Sequence, residues 1–201
     1  MSVVIIDNSD SFTYNIAHYV ALAGHSFRVL GNNTALTDIT ATNPTHLILS
    51  PGPGNVDDAS SYGVSAAALE YYAARIPVLG VCLGHQLIGK SYGAAVRRLP
   101  IVRHGWVSKI RQTGLSTLFT GVTEVFTGMR YHSYVVDAGT LPKQLRITAL
   151  SEEDGEIMAL QHEELTVFGV QFHPESIGTD EGLTIIRNFL GATRKWSDHA
   201  D

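Results

Sequence analysis

Ile76-Pro77-Val78-Leu79-Gly80-Val81 is apolar throughout and runs straight into Cys82-Leu83-Gly84. A strand with no polar face has to be covered on both sides, so this run demands a sheet with helices packed on each of its surfaces. The residues before it supply the rest of such a sheet. Residues 3–6 form a β-branched run that stops at Asp7-Asn8-Ser9-Asp10, and residues 12–22 read as a helix closed by Gly24. Residues 26–30 and 46–49 repeat the strand signal, the second ending in Pro51-Gly52-Pro53-Gly54, where helical backbone cannot continue. Residues 59–74 offer an alanine-rich helix, and 84–92 a further one. From Ala95 the pattern changes to short alternating segments at 107–110, 124–131, 145–150, 157–160 and 167–172, followed by an amphipathic helix over 181–190. The expected fold class is α/β, with a central, mostly parallel sheet flanked by helices and extended by antiparallel strands. No linker or repeat interrupts it, so one domain over 1–192 with a polar tail at 193–201 is expected.

Composition narrows the function classes. At 201 residues, a chain can hide about 70% of the surface that its unfolded form exposes, so one packed core needs no staples. Only 16% of the residues are charged and the formal net charge is −5, with no basic block long enough to track a phosphate backbone. Nucleic acid is not an expected partner. Cys82 is the only cysteine, which excludes an internal disulfide and a thiolate metal cage and fits a reducing cytoplasm. Neither an export signal nor a membrane span is expected, because no positive region precedes the first apolar run and no apolar stretch approaches eighteen residues. The nine histidines include no His-x-x-x-His cluster. No metal is assigned, and His18, His25 and His46 read as scattered structural or surface residues.

The glycines two residues to either side of Cys82 have a steric reason. A nucleophile at a sharp strand-to-helix turn takes a strained backbone, and side chains at the flanking second positions would collide with neighbouring segments. The start of the following helix favours a thiolate and offers the Leu83 N–H to a developing oxyanion. The competing reading is a buried cysteine packed as a small hydrophobe. Residues 167–172 then run into His173-Pro174-Glu175. Residues two apart in extended backbone project to the same side, so Glu175 can orient His173 as the base for a thiol nucleophile; an ordinary strand-ending turn is the alternative. Pro51-Gly52-Pro53-Gly54 is either a second oxyanion donor, through the Gly54 N–H, or a plain turn. Asp10 reads as a helix cap rather than one of a pair of acids with Asp7. A rival motif shares the cysteine segment. Gly84-His85-Gln86-Leu87-Ile88-Gly89-Lys90-Ser91 matches a phosphate-binding loop, with Asp137 downstream as a magnesium-binding strand end, although residues 85–88 read more easily as the first turns of a helix.

Taken together, Asp7 to Asn15, Ser50-Pro51-Gly52-Pro53-Gly54, Gly80 to Gln86, Arg130-Tyr131-His132-Ser133 and Gly169 to Glu175 resemble the class I glutamine amidotransferases over nearly the whole chain. The first and fourth of these segments are similar to the small subunits of anthranilate synthase and aminodeoxychorismate synthase. The resemblance implies that Cys82 attacks the side-chain amide of L-glutamine, that His173 moves the proton and that Glu175 orients it. The backbone of Gly52, Pro53, Gly54 and Leu83 would surround the substrate, while Gln86, Ser133 and Tyr134 would bind its amino acid end. Ammonia would pass to a larger chorismate-binding synthase subunit. No cofactor is implied on this chain, and magnesium is expected on that partner. Ser9 stands where the family usually has tyrosine, Trp106 where lysine follows His-Gly, and Tyr134 where leucine is usual. The alternative readings are a nucleotide-binding protein and a catalytically silent regulatory subunit. His104 reads as structural support, His132 as a coupling residue toward the partner, and Trp106 as an interface anchor if exposed or as core if buried.

Overall fold

The computed structural model describes residues 2–193. The tail expected at 193–201 therefore lies, from residue 194 on, outside the described residues. The elements are β1 (Ser2–Asp7), α1 (Thr13–Leu22), β2 (Ser26–Gly31), α2 (Leu36–Ala41), β3 (His46–Leu49), α3 (Ser65–Tyr72), β4 (Val78–Val81), α4 (Leu83–Ser91), β5 (Val96–Gln112), β6 (Val125–Val136), β7 (Leu145–Ser151), β8 (Ile157–His162), β9 (Val167–Val170) and α5 (Gly182–Leu190). The strands make one sheet in the order β2-β1-β3-β4-β9-β8-β7-β5-β6. From β2 to β9 the neighbours are parallel, and from β9 to β6 they are antiparallel. This is the α/β arrangement expected from the sequence.

Strand periodicity divides the core in two. Val3, Ile5, Leu79, Val81, Phe168 and Val170 pack with α1 and α5 on one face. Val4, Ile6, Leu47, Leu49, Val78 and Val167 pack with α2, α3 and α4 on the other. Every residue of β4 is buried, as its uniformly apolar sequence requires.

Four expected boundaries need correction. The helix expected over 59–74 is broken, with a single 3-10 turn at Ala59–Ser61 and α3 beginning only at Ser65. Gly63 lies between them with φ +47°, a left-handed conformation that helical backbone does not take. The strand expected at 107–110 is the inner part of β5, and that expected at 124–131 extends to Val136 in β6. Alternation is hidden in β5 because most of its positions are exposed, including Arg97, Arg98 and Trp106. The run at 167–172 leaves the ladder after Val170, and His173 then forms an antiparallel bridge to Met129 of β6. The short helix α2 carried no sequence signal strong enough to read, since it has six residues and no side-chain cap.

Candidate active site

Cys82 follows the last residue of β4 and occupies the N-cap position of α4, with φ 51° and ψ −100°. A positive φ at a non-glycine residue strains the backbone, and the surroundings enforce it. A Cβ on Gly80 would lie 2.4 Å from the Gly84 backbone, and one on Gly84 would lie 2.3 Å from the Leu49 carbonyl oxygen. Both glycines are therefore needed for α4 to turn back tightly against β3 and β4. The Cys82 N–H donates to the Val170 carbonyl at 2.8 Å, which ties the turn to β9. The side chain is 6% exposed.

The strand pairing brings the distant base to this turn. Val81 is in register with Val170, so the residues beyond β9 emerge beside Cys82. The His173 N–H donates to the Met129 carbonyl at 2.9 Å, and its ring is walled by Tyr131 and Phe12, with centroids 5.1 and 5.7 Å away. Its Nδ1 donates to Glu175 Oε1 at 2.7 Å. Burial of His173 opposes its charge, but the Glu175 carboxylate and the Cys82 sulfur outweigh that cost and hold its pKa well above 6.5. A shift in that direction favours the protonated imidazole, the form suited to donating a proton to a leaving group.

Two cavities meet at Cys82. The first, of about 320 Å³, is lined by Gly52, Pro53, Gly54, Cys82, Leu83, Gln86, Ser133 and Tyr134, together with Asn55, Tyr131 and His132. It gathers all of the expected substrate-binding residues around the sulfur and lies at the small end of the usual ligand-site range of ~300–1,000 Å³. The second has Cys82, His173, Tyr131 and His104 in its wall, along with Ser9 to Phe12. Glu175 lines neither and stands behind His173. Leu83 begins α4, so its N–H belongs to the helical turn that has no intrahelical acceptor.

Two residues here, Arg130 and Gln171, had no individual role in the sequence reading. Arg130 is completely buried; it donates to Asp154, to the hydroxyls of Ser108 and Ser151, and through Nε to His132 Nε2 at 3.0 Å. Because a guanidinium has no acceptor, His132 Nε2 carries no proton, and its Nδ1 donates to the Tyr134 carbonyl at 3.0 Å. Burial first, then Arg130, pushes the His132 pKa down to about 3. The Gln86 amide nitrogen donates to the same carbonyl at 2.9 Å and to Gln171 Oε1 at 3.1 Å. Both its hydrogens are thereby used, so the remaining polar atom of the Gln86 side chain is its carbonyl oxygen, an acceptor. Gln171 Nε2 lies 3.6 Å from the Cys82 sulfur. The signal for Gln171 was present, since it stands two residues before His173 and two-residue spacing is what pointed to Glu175.

Other expectations end differently. Residues Gly84 to Ser91 lie in α4, and Lys90 Nζ is taken by the Val56 carbonyl and Asp57, each at 2.6 Å. A phosphate-cradling loop needs that stretch to wrap an anion, so the nucleotide reading falls. Asp137 instead accepts from the Gly139 N–H in a 3-10 turn. Asp10 accepts from the Phe12 N–H at 2.7 Å, but the helix starts at Thr13, so it caps the approach rather than the helix itself. His46 is buried and bonded to the Ala192 carbonyl. His104 is exposed against the Tyr131 ring rather than built into the interior. Trp106 is 49% exposed, with the Arg103 guanidinium 4.8 Å from its ring. Among the described residues, no cluster of His, Cys, Asp or Glu is suited to a metal ion, and no helix is long and apolar enough to cross a membrane.

Comparison with known proteins matches residues 4–192 to the family glutamine amidotransferase class-I. The chain is 45% identical to aminodeoxychorismate synthase component 2 of Serratia marcescens, over 93% of this chain and 98% of that one. It is also 45% identical to anthranilate synthase component 2 of Saccharolobus solfataricus, over 93% of this chain and 96% of that one. Of the Bifunctional protein TrpGD of Thermotoga maritima, 44% identical over 94% of this chain, it spans 32%. A solved Thermoplasma acidophilum structure, described as that of a GMP synthase subunit, shares the fold with a TM-score of 0.84 at 23% identity, covering 95% of this chain and 92% of that one.

Proposed function

The chain belongs to the class-I glutamine amidotransferase family, and we propose that it is the glutaminase subunit of a chorismate-converting synthase. In this reading it releases ammonia from L-glutamine for a larger subunit that forms anthranilate, 4-amino-4-deoxychorismate or both. The observation that carries the chemistry is the position of Cys82, whose sulfur sits at a strained elbow facing the first cavity on one side and the His173–Glu175 pair on the other. Support for the partner comes from relatives named as component 2 of the two synthases.

Glutamine in the first cavity presents its side-chain amide to the sulfur and its ammonium to the Gln86 carbonyl oxygen. The Cys82 sulfur adds to the amide carbon, and the resulting oxyanion accepts hydrogen bonds from the N–H groups of Leu83 and Gly54. As the carbon–nitrogen bond breaks, His173 gives its proton to the leaving nitrogen, so ammonia departs and a glutamyl thioester remains. Neutral His173 then takes a proton from the attacking water, the thiolate leaves, glutamate is released and the imidazolium is restored. Glu175 accepts from Nδ1 throughout, which keeps Nε2 as the working nitrogen. The second cavity adjoins the glutamine site through Gly52, Pro53, Cys82 and Tyr131 and opens toward the Ser9 to Phe12 loop, and ammonia would leave on that side. Exposed Trp106, two residues beyond His104, extends that region as a contact for the chorismate-binding and magnesium-binding partner.

The test is glutamate release by the chain assembled with its co-purifying partner, supplied with glutamine and chorismate. Cys82→Ala is expected to lower the rate by at least about 10³-fold and to abolish labelling by an electrophilic glutamine analogue. Equal rates from Cys82→Ala and the unaltered chain would overturn the reading.

A further inference from the structure

We propose that Gln171 is a further functional residue of this site, its side-chain N–H donating to the Cys82 sulfur and stabilising the negative charge that the sulfur carries during the reaction. The proposal deepens the glutaminase reading and rests on it. Gln171 is fully buried and follows Val170, the β9 residue in register with Val81, so the pairing of two parallel strands sets its side chain beside the sulfur. The direction of its amide follows from its neighbours. The Tyr134 carbonyl can only accept, so the nitrogen of Gln86 has to face it. That same nitrogen meets Gln171 across 3.1 Å, and a nitrogen donor requires the Gln171 oxygen there. The Gln171 nitrogen is left pointing at Cys82, 3.6 Å away. Behind this chain, His132 donates to the second lone pair of the Tyr134 carbonyl and is itself held by Arg130, so the peptide that sets the direction has no freedom to turn.

A neutral amide donor, shielded from water, interacts more strongly with a thiolate than with a thiol or a thioester. It therefore acts where the sulfur carries charge, as the thiolate attacks and again as it leaves at the end of the cycle. No bond to Gln171 forms or breaks. It does not line the glutamine cavity, but it also holds one hydrogen of Gln86, so its removal is expected to lower kcat by a larger factor than it raises KM.

Because Cys82 is the only cysteine, alkylation of the full chain by iodoacetamide reports on this one sulfur without background. In folded Gln171→Met, which keeps the volume and loses the donor, the alkylation rate at neutral pH is expected to fall about tenfold, while the urea-unfolded chains react alike. A folded Gln171→Met that alkylates at the unaltered rate would overturn the proposal, as would a variant whose only change is a higher KM. If that variant does not fold, the unaltered chain still decides. With ¹⁵N-labelled glutamine, the Gln171 side-chain amide resonance is expected to shift when Cys82 is carbamidomethylated, and an unmoved resonance would overturn the assignment. A chain that hydrolyses no glutamine with its partner would sink the glutaminase reading, yet the alkylation comparison would still report on Gln171 separately.

Discussion

In the parallel half of the sheet, β1, β3, β4 and β9 end on one edge, and backbone pairing alone delivers Asn8, Ser50, Cys82 and Gln171 to it. In the antiparallel half, β5 and β6 form a long ribbon whose register shifts twice, between Arg98 and Arg103 and between His104 and Trp106. Ser133 and Tyr134 sit on that ribbon, and the fully buried Arg130, bonded to Asp154, Ser108, Ser151 and His132, holds it together. The reactive atoms thus come from the half fixed by strand ends, and part of the cavity wall comes from the half fixed by a polar side-chain network. A network of that kind specifies one arrangement only while every member is present.

The largest expected effect breaks the second half. Arg130→Met takes the guanidinium away from Ser108, Ser151, His132 and Asp154, leaving Asp154 the longer contacts to Arg103 and the Glu156 N–H, and is expected to cost about 3 kcal/mol in denaturant unfolding; a loss under about 1 kcal/mol would mean that packing holds the ribbon as it holds the parallel strands. Gly84→Ala tests the first half. The added carbon would meet the Leu49 carbonyl oxygen 2.3 Å away, so about 2 kcal/mol should be lost, along with glutamine turnover, because α4 and Cys82 must shift. The smallest effect is one of pH. Burial works to raise the Asp154 pKa, but its bonds to Arg130 and Ser151 win and hold it below 3.8. Its contribution is therefore complete above the unfolded value near 3.8 and fades only as pH falls below that, through the folded value. Amide exchange should accelerate in β5 and β6 before β1, β3 and β4 on acidification, and Asp154→Asn should erase that acid-induced lag.

The same contrast explains what the sequence disclosed. Runs such as 46–49 and 76–81 are legible because a strand buried on both faces leaves no choice of residue type, and the position of Cys82 just past a strand end followed from them. The ribbon resisted reading because its strands expose most of β5, so charges occupy positions that alternation would otherwise mark. Gly63 carried the information that would have split the helix at 59–74, had its left-handed turn been anticipated. In the site, Glu175 was visible through local spacing. Arg130 was visible only as a letter of a motif, and His132 only as an expected coupling residue, because what they hold lies across the sheet.

The elbow at Cys82 has a consequence for how this protein can be improved. Its backbone angles suit glycine better than any L-residue carrying a side chain, so the position of the sulfur is also a place where the fold stores strain. Replacements that relax the bend would favour durability and surrender turnover. Selection for a hardier chain and selection for a working one therefore pull against each other at a single residue, and gains in robustness have to be sought elsewhere in the molecule.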